Sequence, residues 1–214
     1  MIKLYGIPPS FPVNRVRLCL NALNKDYEFI VISPLSGETQ TEEYLKMNPT
    51  GKVPAIDIDG FTLFESNSIM KYLCRKFESD LYPNDIESQA HVDKWLDFTG
   101  MHVANGIGKV LFNKLIAPMM KMDIDEQSLK DGYGFIGRFF GVLDQHLENN
   151  DFLANGKLSI ADLGLLATVD PADIIEIDMS EYPYLNKWRQ KLMQEDYYQK
   201  MHSSYAVALE AMQS

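Results

Sequence analysis

The sequence predicts two domains of different class, a small α/β unit followed by an all-helical unit. Three observations support this. Strand-like and helix-like periodicities alternate over the first 78 residues and end in a hairpin pattern. An acidic, proline-containing stretch without periodicity, Glu78 to Ser88 (ESDLYPNDIES), follows. Beyond it nearly every apolar run recurs at helical spacing. The expected division is 1–78 for the α/β domain, 79–88 for a linker and 89–214 for the helical domain.

Each element has a local reason. Ile2 to Ile7 reads as a strand ending at Pro8-Pro9, and Val16, Leu20 and Leu23 mark one face of a helix from about Val13 to Leu23. Glu28 to Ile32 is a second β-rich run. Thr39 and Glu42 are spaced as a capping box for a short helix reaching Met47. Asp59-Gly60 lies between two alternating apolar runs, Ala55 to Ile58 and Phe61 to Phe64, a strong hairpin signal. Ser66 is a good N-cap before Ile69, Leu73 and Phe77. The order is β-α-β-α-β-β-α.

In the second half, Glu87 to Ile116 reads as one long amphipathic helix carrying Val92, Trp95, Leu96, Val103 and Val110, ended or kinked by Pro118. Gln127 to Leu147, Tyr182 to Glu195 and Ser204 to Met212 are further helices. In LSIADL, Ser159 is an N-cap with Asp162 at the third helical position, and Leu158 and Leu163 are placed as a hydrophobic staple. That device serves folding. Glycines inside the helical runs suggest tight contact or room for a ligand, and Gly137 and Gly141 share a face, which favours close packing there.

Composition narrows the function. Hydrophobic residues make up 46% and charged residues 23%, ordinary for a globular protein. A net charge of −10 without a Lys/Arg run argues against a nucleic-acid partner. No apolar run approaches a membrane span and the first residues lack a leader pattern, so no membrane association is expected. Cys19 and Cys74, the only thiols, fall in apolar helical patterns and read as free buried cysteines, which fits a reducing, cytoplasmic setting. The four histidines are scattered without metal-ligand spacing, so no metal is expected.

Chemistry gathers in Asn48 to Ile69. Val53, held extended by Pro54, can offer its backbone N–H and C=O to an extended peptide. The helix opened by Glu65-Ser66 has no Glu or Gln at its third position, so its N–H groups and dipole suit a carboxylate. Together these form a cradle for a small, charged, peptide-like ligand. At the first strand-to-helix handover, a dithiol protein would carry Cys-x-x-Cys, and this chain has Ser10-Phe11-Pro12-Val13. A serine there serves either as a turn and cap residue or as a hydrogen-bond donor to an anion such as a ligand thiolate.

Ser10 followed by Arg15-Val16, then NPTGKVPA, FESNSIMKYL, the LYP linker and LSIADL, resembles a cytosolic glutathione S-transferase over the whole chain. The N-terminal half looks most like the serine-type classes, theta, phi and their bacterial relatives. The resemblance implies a thioredoxin-like N-terminal domain, glutathione as cosubstrate, and Ser10 as the catalytic group that stabilises its thiolate. It matches Val53 to the residue that pairs with the cysteinyl backbone ahead of a cis-proline, Pro54. Glu65 and Ser66 match the pair holding the γ-glutamyl ammonium and carboxylate. Lys52 and Gln40 fall near the positions reaching the glycyl carboxylate, although plant-type relatives often have His-Lys where this chain has Thr39-Gln40. A second-substrate pocket would draw on Phe11 and Pro12 from the first loop and on His102 and Asn105, three apart on the long helix. A homodimer acting on a small hydrophobic electrophile is implied. The rivals are a non-catalytic regulatory relative, and a peroxidase, dehalogenase or isomerase using the same thiolate.

Overall fold

A computed structural model describes residues 1–8 and 10–202. It falls into two units, one built from Met1–Tyr82 with the described residues from Met193 onward, the other from Pro83–Leu192. The sequence reading placed everything after residue 88 in one helical domain. The segment from Met193 groups instead with the first unit, where Asn21 Nδ2 donates to the Tyr197 carbonyl at 2.9 Å and Arg17 Nη2 to the Met201 carbonyl at 3.2 Å.

The first unit is a four-stranded sheet in the order β2-β1-β3-β4, as the thioredoxin-like expectation requires. β1 (Ile2–Gly6) lies at its centre, parallel to β2 (Glu28–Val31) and antiparallel to β3 (Ala55–Ile58), which turns back into β4 (Phe61–Phe64). The hairpin sits where Asp59-Gly60 put it: both residues have positive φ, 53° and 89°, as a two-residue primed turn needs. The Gly60 N–H donates to Asp57 Oδ1 at 2.8 Å. Helices α1 (Phe11–Ala22) and α3 (Ser66–Lys76) pack together. Val16, Leu20, Ile69 and Leu73 are buried with Leu4 and Ile56 of the sheet. Burying such side chains contributes about 1.5–3 kcal/mol each. Cys19 and Cys74 are buried and unbridged, and contact between the thiols together with burial pushes the Cys19 pKa up.

Two expected helix starts are displaced by a residue or two. Thr39 is buried in a 3-10 turn, Glu38–Gln40, and Thr41 caps α2 (Glu42–Met47) by accepting from the Tyr44 N–H. The spacing Thr39…Glu42 fitted a capping box, but the chain needs an extra turn after β2. Ser66 is already helical, and Glu65, at φ 70°, occupies the N-cap of α3.

In the second unit the long amphipathic run is helical from Ile86 to Met119 but is not one α-helix. α4 (Ile86–Phe98), α5 (Ala104–Leu111) and α6 (Ala117–Met119) are separated by π-helical segments, Thr99–Val103 and Phe112–Ile116. Asn113 sits in the second, donating to the Lys109 carbonyl and accepting from the Asp125 N–H, both at 2.9 Å. That side chain joins the ladder to the start of α7 (Glu126–Leu147). The linker is shorter than expected, because Asp85 caps α4 by accepting from the Ser88 N–H.

The tight helix contact lies at Gly106 and Gly132, not at Gly137 and Gly141. A Cβ at Gly132 would meet Val110 Cγ2 at 2.9 Å and one at Gly106 would meet Phe135 Cβ at 3.1 Å; at Gly141 nothing lies within 4 Å. α8 (Ile160–Val169) is buried along its whole length, and Ser159 with Asp162 forms the capping box read from the sequence. Asp162 also accepts from the Leu153 N–H at 2.9 Å. α9 (Pro183–Met193) closes the unit. Among the described residues no helix is long and apolar enough to cross a membrane. The helix expected at Ser204 to Met212 lies outside the described residues.

Candidate functional site

Ser10 is placed by a close approach of α1 to the end of β1. A Cβ on Gly6 would lie 2.6 Å from Val13 Cγ2, so only glycine lets the helix close onto that strand end. The Ser10 N–H donates to the Ile7 carbonyl at 3.1 Å, and its own carbonyl accepts from the Asn14 N–H at 2.9 Å. Ser10 is thus the N-cap of α1, yet its side chain makes no capping hydrogen bond. The hydroxyl takes no part in closing the helix beside it. Phe11 and Pro12 form the first turn, both half-buried.

The loop from Asn48 to Pro54 leads into β3. Asn48, buried, accepts from Thr50 through both its N–H (3.1 Å) and its hydroxyl (2.8 Å), and donates to the Lys52 carbonyl at 2.7 Å. The Tyr44 hydroxyl donates to the same carbonyl at 2.7 Å, and burial pushes its pKa up to about 12. Two donors on one carbonyl fix the loop just before Val53. The Val53–Pro54 bond is cis. Among the described residues no backbone hydrogen bond outside the regular elements uses the Val53 N–H or C=O. Lys52 is exposed, and the Gln40 amide lies against Gly51. Gly51, against which the Gln40 amide lies, directly precedes Lys52.

The remaining candidate residues, Glu65 and Ser66, lie at the start of α3. Glu65 turns the chain alone with φ 70° and ψ 110°, a conformation costing about 1–3 kcal/mol for a residue with a Cβ. Its side chain caps nothing and is exposed, while Ser66 beside it is buried. No acidic side chain occupies the first turn, so the helix start remains a place for an external carboxylate.

His102 and Asn105 lie in the helical unit and are both exposed. The His102 ring stacks on Phe139 at 4.7 Å and meets the edge of Phe98 at 5.5 Å, so aromatic packing already engages it. Among the described residues no group of three His, Cys, Asp or Glu side chains could hold a metal. Sequence reasoning gave no role to two residues of the N-terminal unit, Arg15 and Asn67. Arg15 is a buried cation on α1, and its Nη1 donates to Asn67 Oδ1 at 3.4 Å. The signal for it was a charge lying between Val13 and Val16 on the buried side of an apolar helix.

This arrangement sets a hydroxyl left out of helix capping, a backbone edge and an open helix start within one α/β unit. The N-terminal-domain model of glutathione S-transferases matches residues 4–81 and the C-terminal-domain model matches 109–196. A probable glutathione S-transferase of Oryza sativa subsp. japonica is 30% identical over 94% of this chain and 96% of its own. Among solved structures, glutathione transferase F7 of Populus trichocarpa superposes with a TM-score of 0.88 at 26% identity, over 96% of this chain and 99% of its own. Glutathione S-transferase I from maize, solved with an atrazine glutathione conjugate, gives 0.86 at 28% identity, over 94% and 96%. Sequence order, sheet topology and near-complete coverage agree: this chain belongs to the glutathione S-transferase family.

Proposed function

We propose that this protein is a glutathione transferase in which Ser10 stabilises the glutathione thiolate for attack on a hydrophobic electrophile. The observation that carries the reading is the Ser10 hydroxyl, which sits at a helix N-cap without capping it. Glutathione supplies the thiol. The chain supplies a charge-assisted hydrogen bond and the positive end of α1, together worth about 1.5–4 kcal/mol. At about 1.4 kcal/mol per unit, that lowers a thiol pKa from about 8.5 by one to three units. The thiolate sulfur then forms a bond to the electrophilic carbon, and the leaving group departs with the bonding pair. Ser10 keeps its own proton. Held close and oriented, the two reactants need no covalent bond to the protein.

In this reading Val53 pairs through its N–H and C=O with the cysteinyl unit, beside cis-Pro54. Glu65 meets the γ-glutamyl ammonium, Ser66 and the α3 start take its carboxylate, and Lys52 with Gln40 attract the glycyl carboxylate. Phe11 and Pro12, at the start of α1, contribute to the electrophile pocket. The working form is a homodimer in the cytoplasm, a setting that suits two buried, unbridged cysteines. Calorimetric titration with glutathione tests the cradle. Ser66→Ala should weaken binding about tenfold, the size expected for losing a hydrogen bond to a charged group, with an unchanged melting temperature. A wild-type protein that does not bind glutathione would overturn the reading.

A further inference from the structure

Two buried side chains converge on the peptide group that precedes the Val53–Pro54 step. Tyr44 lies in α2 and Asn48 is the C-cap of that helix, and they are only 3% and 2% exposed. The Tyr44 hydroxyl and Asn48 Nδ2 both donate to the Lys52 carbonyl, each at 2.7 Å. A carbonyl oxygen has two lone pairs, so both are taken. Each donor is oriented in turn. Asn48 Oδ1 accepts from the Thr50 N–H and hydroxyl, which leaves Nδ2 to face Lys52. The Tyr44 ring meets the Tyr5 ring of β1 edge-on at 6.3 Å. Burial pushes the Tyr44 pKa up to about 12, so its hydroxyl keeps its proton and stays a donor. The Lys52 carbonyl and the Val53 N–H belong to one planar peptide group. Donors on the oxygen therefore aim the N–H at the other end and, by polarising the amide, strengthen it as a donor. Among the described residues, that N–H enters no backbone hydrogen bond outside the regular elements.

We propose that Tyr44 and Asn48 are positioning residues that set the direction and strength of the Val53 N–H, and through it the hold on the cysteinyl carbonyl of glutathione. The proposal rests on the glutathione reading above. Neither side chain has to touch the ligand, because both act through the peptide group between Lys52 and Val53. The exposed Lys52 side chain takes no part in this relay, which uses its carbonyl alone. A phenyl ring would fill the place of Tyr44 and omit only the hydroxyl, so the hydrogen bond can be removed with the packing retained.

The test compares two ligands on the full chain. One is glutathione; the other is an isostere in which an alkene replaces the cysteinyl–glycyl amide, removing the carbonyl that would accept from Val53. Dissociation constants are measured for wild type and Tyr44→Phe, and the Val53 amide proton is followed by nuclear magnetic resonance. Tyr44→Phe should weaken glutathione binding about fivefold and isostere binding by less than about twofold. Glutathione should move the Val53 amide proton downfield in wild type and clearly less in Tyr44→Phe. Glutathione binding by Tyr44→Phe within about twofold of wild type overturns the proposal. An equal loss for both ligands overturns it too, since that marks a general loosening of the loop. So does an equal amide shift in the two proteins, which decides the matter alone if the isostere binds too weakly to titrate. If Tyr44→Phe does not fold, Asn48→Asp, which keeps the acceptor for Thr50 and loses the donor, repeats the comparison with the same outcomes. Absence of glutathione binding in the wild type would overturn the glutathione reading itself, a result distinct from all of these.

Discussion

At the scale of single residues, the proposed site draws on side chains and backbone groups that the fold leaves unspent. Ser10 caps α1 with its backbone alone, Glu65 turns the chain at φ 70° without capping, and Val53 precedes a cis-proline with its edge open. These local features were legible because each sits in a short pattern: a strand end before a helix, an X-Pro step, an acid-serine pair at a helix start. The burial of Arg15 was not, because a charge on an amphipathic helix looks the same from sequence whether it faces solvent or another helix. The Glu65 N-cap was misplaced by one residue, since serine is the better cap by propensity and only the turn out of β4 reveals the difference. Gly6 yields a prediction at this scale. A Cβ there would meet Val13 Cγ2 at 2.6 Å, so Gly6→Ala should destabilise by about 1–3 kcal/mol and displace Ser10. Urea unfolding, with glutathione affinity alongside, measures both effects.

Among elements, α7 and α8 carry the sharpest consequences. The Gly106–Gly132 contact leaves no room for a methyl group, whereas Gly141 faces open space within α7. Gly132→Ala should cost about 1–3 kcal/mol through overpacking, while Gly141→Ala should gain up to about 1 kcal/mol of helix propensity. Opposite shifts in urea midpoint check this, and equal shifts would contradict it.

The capping box at α8 was readable from six residues because its bonds are local. Removing the Ser159 hydroxyl should cost about 1 kcal/mol. Burial raises the Asp162 pKa to about 6, with the Leu153 and Ser159 donors pulling it down only in part. A carboxyl raised above its unfolded value contributes most stability below about pH 4 and loses it as pH rises through 6. Wild type should therefore lose stability relative to Asp162→Asn between pH 4 and 6, by on the order of 3 kcal/mol. Urea unfolding at the two ends of that window decides the sign. The π-helical segments could not be read, because one extra residue per turn barely disturbs a 3.6-residue pattern over so short a run.

For the whole molecule, what the sequence could not carry is long-range. The return of the chain from Met193 to α1 depends on side chains of Arg17 and Asn21 reaching carbonyls more than 170 residues away, and no local pattern encodes that. The order of elements, by contrast, was fully legible, since each strand and helix of the first unit carries its own periodicity and turn chemistry. An acidic chain with net charge −10 must also hold an anionic tripeptide, so local cations and helix termini have to outweigh the overall field. Glutathione affinity should accordingly respond to Lys52→Ala, with a loss of up to about tenfold that shrinks as salt is raised.

The central claim, that Ser10 stabilises a glutathione thiolate, is tested most directly by ultraviolet thiolate absorbance of the bound ligand in wild type and Ser10→Ala from pH 5 to 9. The account predicts a bound thiol pKa one to three units below about 8.5 in wild type and a return towards that value in the variant, which should still bind glutathione. An identical thiolate pKa in the two proteins would contradict it.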